Sequence, residues 1–333
     1  MTDGRVLVAS APGKLVVCGE YAVLDGAPAV AVAVDRRAVV RIEAGNGWSV
    51  TAPGFDDCRR EFKLSASKVE WPSGASPLPL LDAVFRSLGR DIDTPLALLM
   101  DTAAFSAASG KLGLGSSAAL AVATSGALAV WCGGTSDGLL RMAAAAHREL
   151  QAGRGSGVDV ATAVLGGLVH YRMPDEVVRL DWPQGLHARV LYSGVPASTT
   201  ARLDKLAATG RHPSRQALVA AANEAAAAWR SGNRDAVLEA TAGYTASLAD
   251  FSRAYDLGVF AAGHEALVTL AEREGLVYKP CGAGGGDAGM VLGREPDALE
   301  AFTAAAAQKG FQDLALDFDT TSTKGFTAAW TQD

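Results

Sequence analysis

Apolar runs of strand length open the chain. "VLVAS" (6–10), "KLVVCGEYAVL" (14–24) and "PAVAVAVDRRAVVRIEA" (28–44) are punctuated at Pro12-Gly13 and again at 26–28, so the segment up to Glu43 is predicted to form a sheet. The pattern changes at Leu114. From there to Trp131 the residues are apolar throughout and rich in Ala, which predicts a helix buried on all sides. Ser136-Asp137 can cap a second helix running to about Glu149, and "GSGVDVATAVLGGLVHY" (155–171) reads as a loop, a short helix and a strand.

The polar stretch 174–183 contains two prolines and separates this part from "HARVLYSGV" (187–195), a new strand. A boundary near 184 divides the chain into a domain at 1–184 and another at 185–333. In the second, helices are expected at about 214–230, 234–252, 264–274 and 296–308, with a glycine loop at 282–289 and a closing strand near 325–330. Helix and strand alternate there, which predicts an α+β sandwich.

Composition bounds the function more than the fold. With 333 residues, 49% hydrophobic and 20% charged, the chain can build a substantial core. Thirty Lys and Arg against thirty-six Asp and Glu leave a net charge of −6. No overall field therefore attracts nucleic acid or anionic lipid, and an anionic ligand needs a local site. Cys18, Cys58, Cys132 and Cys281 lie far apart with neither a CxxC pair nor a nearby histidine cluster, so they read as free thiols. The N-terminus has no basic region leading into a long apolar core, and no apolar run reaches the ~18 residues that span a bilayer. The expectation is a cytoplasmic protein, monomer or homodimer, with a small-molecule substrate and neither a nucleic-acid nor a membrane partner.

Candidate chemistry lies in the glycine loops. In "KLGLGSSAAL" (111–120), a Gly- and Ser-rich turn runs into the predicted helix. Such a turn offers backbone N–H groups and the positive end of a helix dipole, and no side chain keeps a phosphate away. Ser116 and Ser117 add hydroxyls suited to a phosphate oxygen or a metal ion, although both are also good helix caps. The P-loop pattern is absent, and there is no Rossmann fingerprint in a clear βαβ unit with an acidic residue about 20 positions on. "SAPGKLVVCGEYAVL" (10–24) sets Lys14 after a Pro-Gly turn, "GRGSGVDVATA" (153–163) sets Asp159 at a helix start, and "KPCGAGGGDAG" (279–289) adds a further loop. Phosphoryl transfer needs backbone donors and a metal for the triphosphate, a cation on the transferring group and a carboxylate near the acceptor.

"APGKLVVCGEYAVL", "KLGLGSSAAL" and "KPCGAGGGDAG", in this order, resemble the three motifs of the GHMP superfamily of galactokinase, homoserine kinase, mevalonate kinase and phosphomevalonate kinase. The resemblance implies a two-domain fold, with an N-terminal nucleotide-binding domain like ribosomal protein S5 and a ferredoxin-like C-terminal domain. ATP and a small acceptor would lie in the cleft between them. Within the superfamily, "GEYAVL", the Lys before "GLGSSAAL", "GSGVDVATAV", Asp287 in the third motif and "YSGVPASTTARL" (192–203) resemble the phosphomevalonate kinase branch. That branch implies ATP- and Mg²⁺-dependent conversion of phosphomevalonate to diphosphomevalonate on the mevalonate route to isoprenoids. The alternatives are a mevalonate kinase and a non-catalytic, metabolite-sensing relative. Cys281 departs from the Ser usual before the third loop.

The resemblance implies catalytic roles for Lys14 and Asp159. Toward an alcohol Asp159 would act as general base, whereas a phosphate monoester, with a second pKa near 6, is already ionised and needs only orienting groups. Lys111, Gly113, Leu114, Gly115, Ser116, Ser117 and Ala118 are expected to bind ATP. Glu20, Tyr21, Ser156, Gly157, Ser198, Gly282, Ala283, Gly284, Gly285 and Asp287 are expected to meet the acceptor. Ser117 and Glu149 are the candidate Mg²⁺ ligands, although Glu149 lies ten residues before Asp159 where mevalonate kinases place a glutamate eleven before. Arg148, Arg154 and Lys279 are candidates for the acceptor's second anionic group. The five histidines show no ligand spacing and are read as structural.

Overall fold

The computed structural model describes residues 5–332 except 109, 175, 198, 211 and 319–322. Among these residues, eight strands form a mixed sheet built around two long antiparallel strands, Arg5–Cys18 and Ala29–Ala44. The free edge of the second is shared: Leu168–Arg172 pairs with its first residues and Leu96–Asp101 with its last. Glu176–Leu180 extends one end of the sheet, and Ser49–Ala52 with Asp56–Glu61 the other. Pro12-Gly13 does not separate two strands as expected. The ladder absorbs the missing proline N–H as a register shift within one strand. The end of "KLVVCGEYAVL" is also not strand. Gly19 and Tyr21 take positive φ (96° and 62°), and a short helical turn, Ala22–Asp25, follows.

Helices α1 (Pro79–Leu88), α2 (Ser116–Trp131), α3 (Leu139–Leu150) and α4 (Val158–Leu165) form a layer on this sheet. The expected all-round apolarity of α2 has a simple cause, since it lies against the two long strands and touches α1, α3 and α4 as well. The second part holds an antiparallel sheet ordered Val277–Pro280, Ala288–Gly293, His187–Tyr192, Gln312–Asp313. Helices α5 (Thr199–Ala208), α6 (Ser214–Ser231), α7 (Arg234–Ala254), α8 (His264–Arg273) and α9 (Pro296–Ala307) accompany it. The α+β expectation holds. The strands between 49 and 101, helix α1 and helix α5 were not anticipated.

The closing strand lies in a different sheet from the one expected. The last strand, Thr327–Gln332, does not close the second unit but pairs with Arg5–Ser10 in the first sheet. The Arg37 guanidinium explains how the chain is drawn back, donating to the carbonyls of Lys324 (2.7 Å), Gly325 (2.8 Å) and Ser10 (3.1 Å). Phe326 follows and packs over Gly126 of α2, where a Cβ would lie 2.3 Å from the ring. Glycine inside a helix ordinarily costs stability, but here it makes room for the returning chain. Gly126→Ala should therefore lower the unfolding free energy by about 1–3 kcal/mol through overpacking, measured by urea unfolding. An unchanged or raised midpoint would show that Phe326 does not hold this segment in place.

Candidate active site

A cleft of about 590 Å³ is lined by residues of both sequence halves, among them Lys14, Lys111, Ser117, Asp159, Ala283 and Asp287. The first strand and the first glycine loop are stitched together where the Lys14 N–H donates to the Leu114 carbonyl (2.8 Å). Gly113 and Gly115 both have positive φ (74° and 79°). A Cβ on Gly113 would lie 2.4 Å from Asp287 Cγ, and one on Gly115 3.0 Å from Lys14 Cε. Close approach therefore requires both glycines. The Lys14 side chain crosses Gly115 at the very start of α2.

Helices α2 and α4 begin after Gly115 and Gly157, neither of which supplies a side-chain cap. The N–H groups of a first helical turn have no acceptor within the helix. Ser116 and Ser117 on α2, and Ser156, Val158 and Asp159 at α4, line the cleft, so two positive helix ends border it. Lys14, Lys111 and Arg154 add three cationic side chains to the lining, and Arg154 also pairs with Asp204. This combination suits a polyanion.

The third loop closes the cleft from the other half. Tyr21 Oη donates to the Ala283 carbonyl (2.6 Å), and burial raises the phenol's pKa, so it remains a donor. Asp287 takes positive φ (53°). Its Oδ1 accepts from Ala197 N–H (2.9 Å) and its own N–H donates to the Val195 carbonyl (2.7 Å). Burial raises its pKa against the opposing pull of that N–H, Lys14 and Arg202. Asp287 thus ties the third loop to the segment 195–197.

Several expected residues stand elsewhere. Ala118 is buried within α2, and the space beside Gly157 is closed by Tyr171 Oη, 3.1 Å from where a Cβ would sit. Gly284 and Gly285 pack against Val259, the second donating its N–H to the Val259 carbonyl (2.6 Å). Ser198 lies outside the described residues. Glu149 is corrected outright. It sits on the outer face of α3, 51% exposed and paired with Arg86, because two residues beyond His147 a helix has turned through about 200°, onto its opposite side. Arg148 is exposed and does not line the cleft. Lys279 is also withdrawn as an acceptor ligand: it is fully buried and its ammonium is bound to Glu20. Glu20 lines the cleft, yet its carboxylate faces that ammonium, Tyr244 Oη (3.0 Å) and the Gly282 N–H (3.3 Å).

His147, expected to be structural, contacts two residues of the cleft instead. It is buried in α3, with Nε2 3.0 Å from Ser117 Oγ and Nδ1 3.7 Å from Asp159 Oδ2. The signal was its place on the apolar stripe of α3, in line with Leu139, Ala143 and Ala146. Among the described residues, no three His, Cys, Asp or Glu side chains converge on a metal site.

Residues 83–167 match the GHMP kinase N-terminal domain. Over 88% of its length the chain is 32% identical to the phosphomevalonate kinase of Streptomyces sp. (strain CL190), covering 91% of that protein. The chain belongs to the GHMP kinase family. The three-motif resemblance is borne out. A mevalonate kinase of Methanothermobacter thermautotrophicus is 35% identical over 58% of the chain, covering 60% of that enzyme. In fold, this GHMP kinase is similar to Streptococcus pneumoniae phosphomevalonate kinase in complex with phosphomevalonate and AMPPNP (TM-score 0.80, 18% identity, 93% of this chain and 99% of that one).

Two tests follow from the loops of this kinase. Gly113→Ala combines a positive φ with a collision against Asp287, and should reduce turnover at least about 10-fold while the fold survives, a cost of ~1–3 kcal/mol. Turnover at the wild-type level would show that the two loops need not meet. The second concerns His264, which is fully buried beneath the third loop. Its Nε2 must donate to the Gly286 carbonyl (3.0 Å), leaving Nδ1 to accept from Tyr278 Oη (2.8 Å). Burial lowers its pKa from 6.5 to about 4. The unfolded chain thus takes up a proton first, and the stability this neutral ring confers is present above pH 6.5 and lost as pH falls toward 4. Wild-type protein should lose up to roughly 3 kcal/mol across that window by this route, and His264→Gln less. Equal slopes in urea unfolding would rule out His264 as the cause.

Proposed function

We propose that this GHMP kinase transfers the γ-phosphoryl group of ATP to the phosphate of phosphomevalonate, giving diphosphomevalonate and ADP. The observation that carries the reading is the placing of Lys14 across Gly115 at the start of α2, in a cleft that Asp159 also lines. A cation and a helix N-terminus act there on the same point, where a transferring phosphoryl group would gather negative charge. The 32% identity with a phosphomevalonate kinase over most of both chains supports this acceptor over mevalonate.

An oxygen of the acceptor phosphate attacks the γ-phosphorus, the bond from that phosphorus to the β–γ bridging oxygen breaks, and ADP leaves with the electron pair. The acceptor oxygen is already ionised near neutral pH and no proton has to be removed. Asp159 then orients rather than deprotonates, and Lys14 stabilises the charge in transit. First-turn N–H groups of α2, with Lys111, hold the nucleotide phosphates. The Ser117 hydroxyl, at the cleft wall, fits a Mg²⁺ ion that takes its other ligands from phosphates and water, as this ion usually does. When bound, Mg²⁺ would neutralise phosphate charge. No described helix is long and apolar enough to cross a membrane, and the four cysteines are free. We place the reaction in the cytoplasm.

ADP release measured with each acceptor tests the assignment. Phosphomevalonate should support turnover and mevalonate should not; the reverse would make the protein a mevalonate kinase, and tight ATP binding without transfer to either would make it a sensor. Lys14→Met should lower kcat by about 10²–10³-fold. Asp159→Asn should cost less than the ~10²–10⁴-fold typical of a lost general base, and a loss in the upper part of that range with phosphomevalonate would contradict the orienting role.

A further inference from the structure

We infer that His147 is a positioning residue which fixes the proton of the Ser117 hydroxyl, with the Asp159 carboxylate facing its other nitrogen. The inference deepens the kinase reading and rests on it. The imidazole is buried in α3, only 2% exposed, and its two nitrogens face two groups of the cleft: Nε2 lies 3.0 Å from Ser117 Oγ, and Nδ1 lies 3.7 Å from Asp159 Oδ2. A buried ring needs polar partners, and no other hydrogen bond competes for it among those formed by the described residues.

The placing of the proton follows from what surrounds each nitrogen. Nδ1 faces the Asp159 carboxylate at 3.7 Å, beyond direct hydrogen-bond reach, and a carboxylate on that side favours the tautomer with its proton on Nδ1. In a neutral imidazole the other nitrogen is then an acceptor. Nε2 presents a lone pair to Ser117, and the hydroxyl must donate to it. The serine oxygen consequently turns only lone pairs toward the cleft, beside the first turn of α2. It can accept from a cationic donor or meet a hard cation, but it has no proton left to give to a phosphate oxygen. The choice left open for Ser117 by the sequence, phosphate oxygen or metal ion, is thereby made by a histidine thirty residues away. Asp159 is itself oriented by Oδ1, which accepts from the Val160 N–H at 2.9 Å.

The test reads the proton first and catalysis second. In the nucleotide-free, metal-free protein, ¹⁵N NMR of the imidazole should show His147 protonated at Nδ1 and bare at Nε2. A ring protonated at Nε2, or at both nitrogens, overturns the inference whether or not the protein is a kinase. In turnover with phosphomevalonate, His147→Leu should lower kcat by about 10- to 100-fold, as is typical when a supporting partner is lost, with KM for both substrates changed less than about 3-fold. His147→Gln, whose amide oxygen reaches the place of Nε2, should recover most of that loss. In a Ser117→Ala background His147→Leu should cost almost nothing more. Wild-type kcat in His147→Leu, no rescue by Gln, or a full further loss without Ser117 would each contradict the role. Turnover of neither acceptor would instead refute the kinase reading, and the NMR result would still decide the placing of the proton.

Discussion

Lys279 and Glu20 form an ion pair that joins the two sequence halves, with side chains 1% and 3% exposed. Glu20 follows the first strand of the large sheet, and Lys279 lies in an outer strand of the small one. Removing two charges from water costs several kcal/mol for each, so such a pair is tolerable only when its remaining valences are filled. They are filled here. Lys279 Nζ also donates to the carbonyls of Pro280 (2.7 Å) and Val16 (3.4 Å), while Glu20 accepts from Tyr244 Oη and the Gly282 N–H. Burial, the largest single effect, pulls the lysine's pKa down, yet Glu20 together with the Cys281 and Cys18 thiols turns the net shift upward, so the ammonium persists. The pair specifies how the halves meet more than how strongly they hold.

The cleft follows from that meeting. With Gly282 drawn onto Glu20, Ala283 reaches Tyr21 and Asp287 comes against Gly113. The glycine loop of one half is thus pressed on that of the other, and His264 supports it from below through Gly286. A site made in this way concentrates backbone N–H groups, helix ends and cations from the first half, with a wall supplied by the second. Its Asp159 is half-buried and faces a histidine.

Much of this was legible in the residues. Lys14, Asp159 and the glycine loops announce themselves because close backbone approach and a cation near a helix start demand particular residue types at fixed places. Of the helices of the second half, α6 to α9 were visible, α6 and α9 through their Ala-rich runs, whereas α5 was not. What stayed hidden depended on contacts distant in sequence. The closing strand itself was expected, but Thr327–Gln332 carries no sign of its partner, which lies more than three hundred residues away in the first sheet. Lys279 looks like any surface lysine until Glu20 is seen beside it. Glu149 and His147 are two positions apart, and only helical phase separates an exposed ion pair from a group in the site. The short strands at 56–61 and 63–70 are largely polar, so apolar periodicity could not mark them.

The most direct test is a double-mutant cycle on the pair, using Glu20→Gln, Lys279→Met and the two together, read by urea unfolding. Each single change leaves one buried charge unpaired and should cost about 3–5 kcal/mol. The double variant should cost less than their sum by about 2 kcal/mol or more. If the two losses simply add, or either single variant unfolds like wild type, the pair does not set how the halves meet, and the account of the cleft built on it fails.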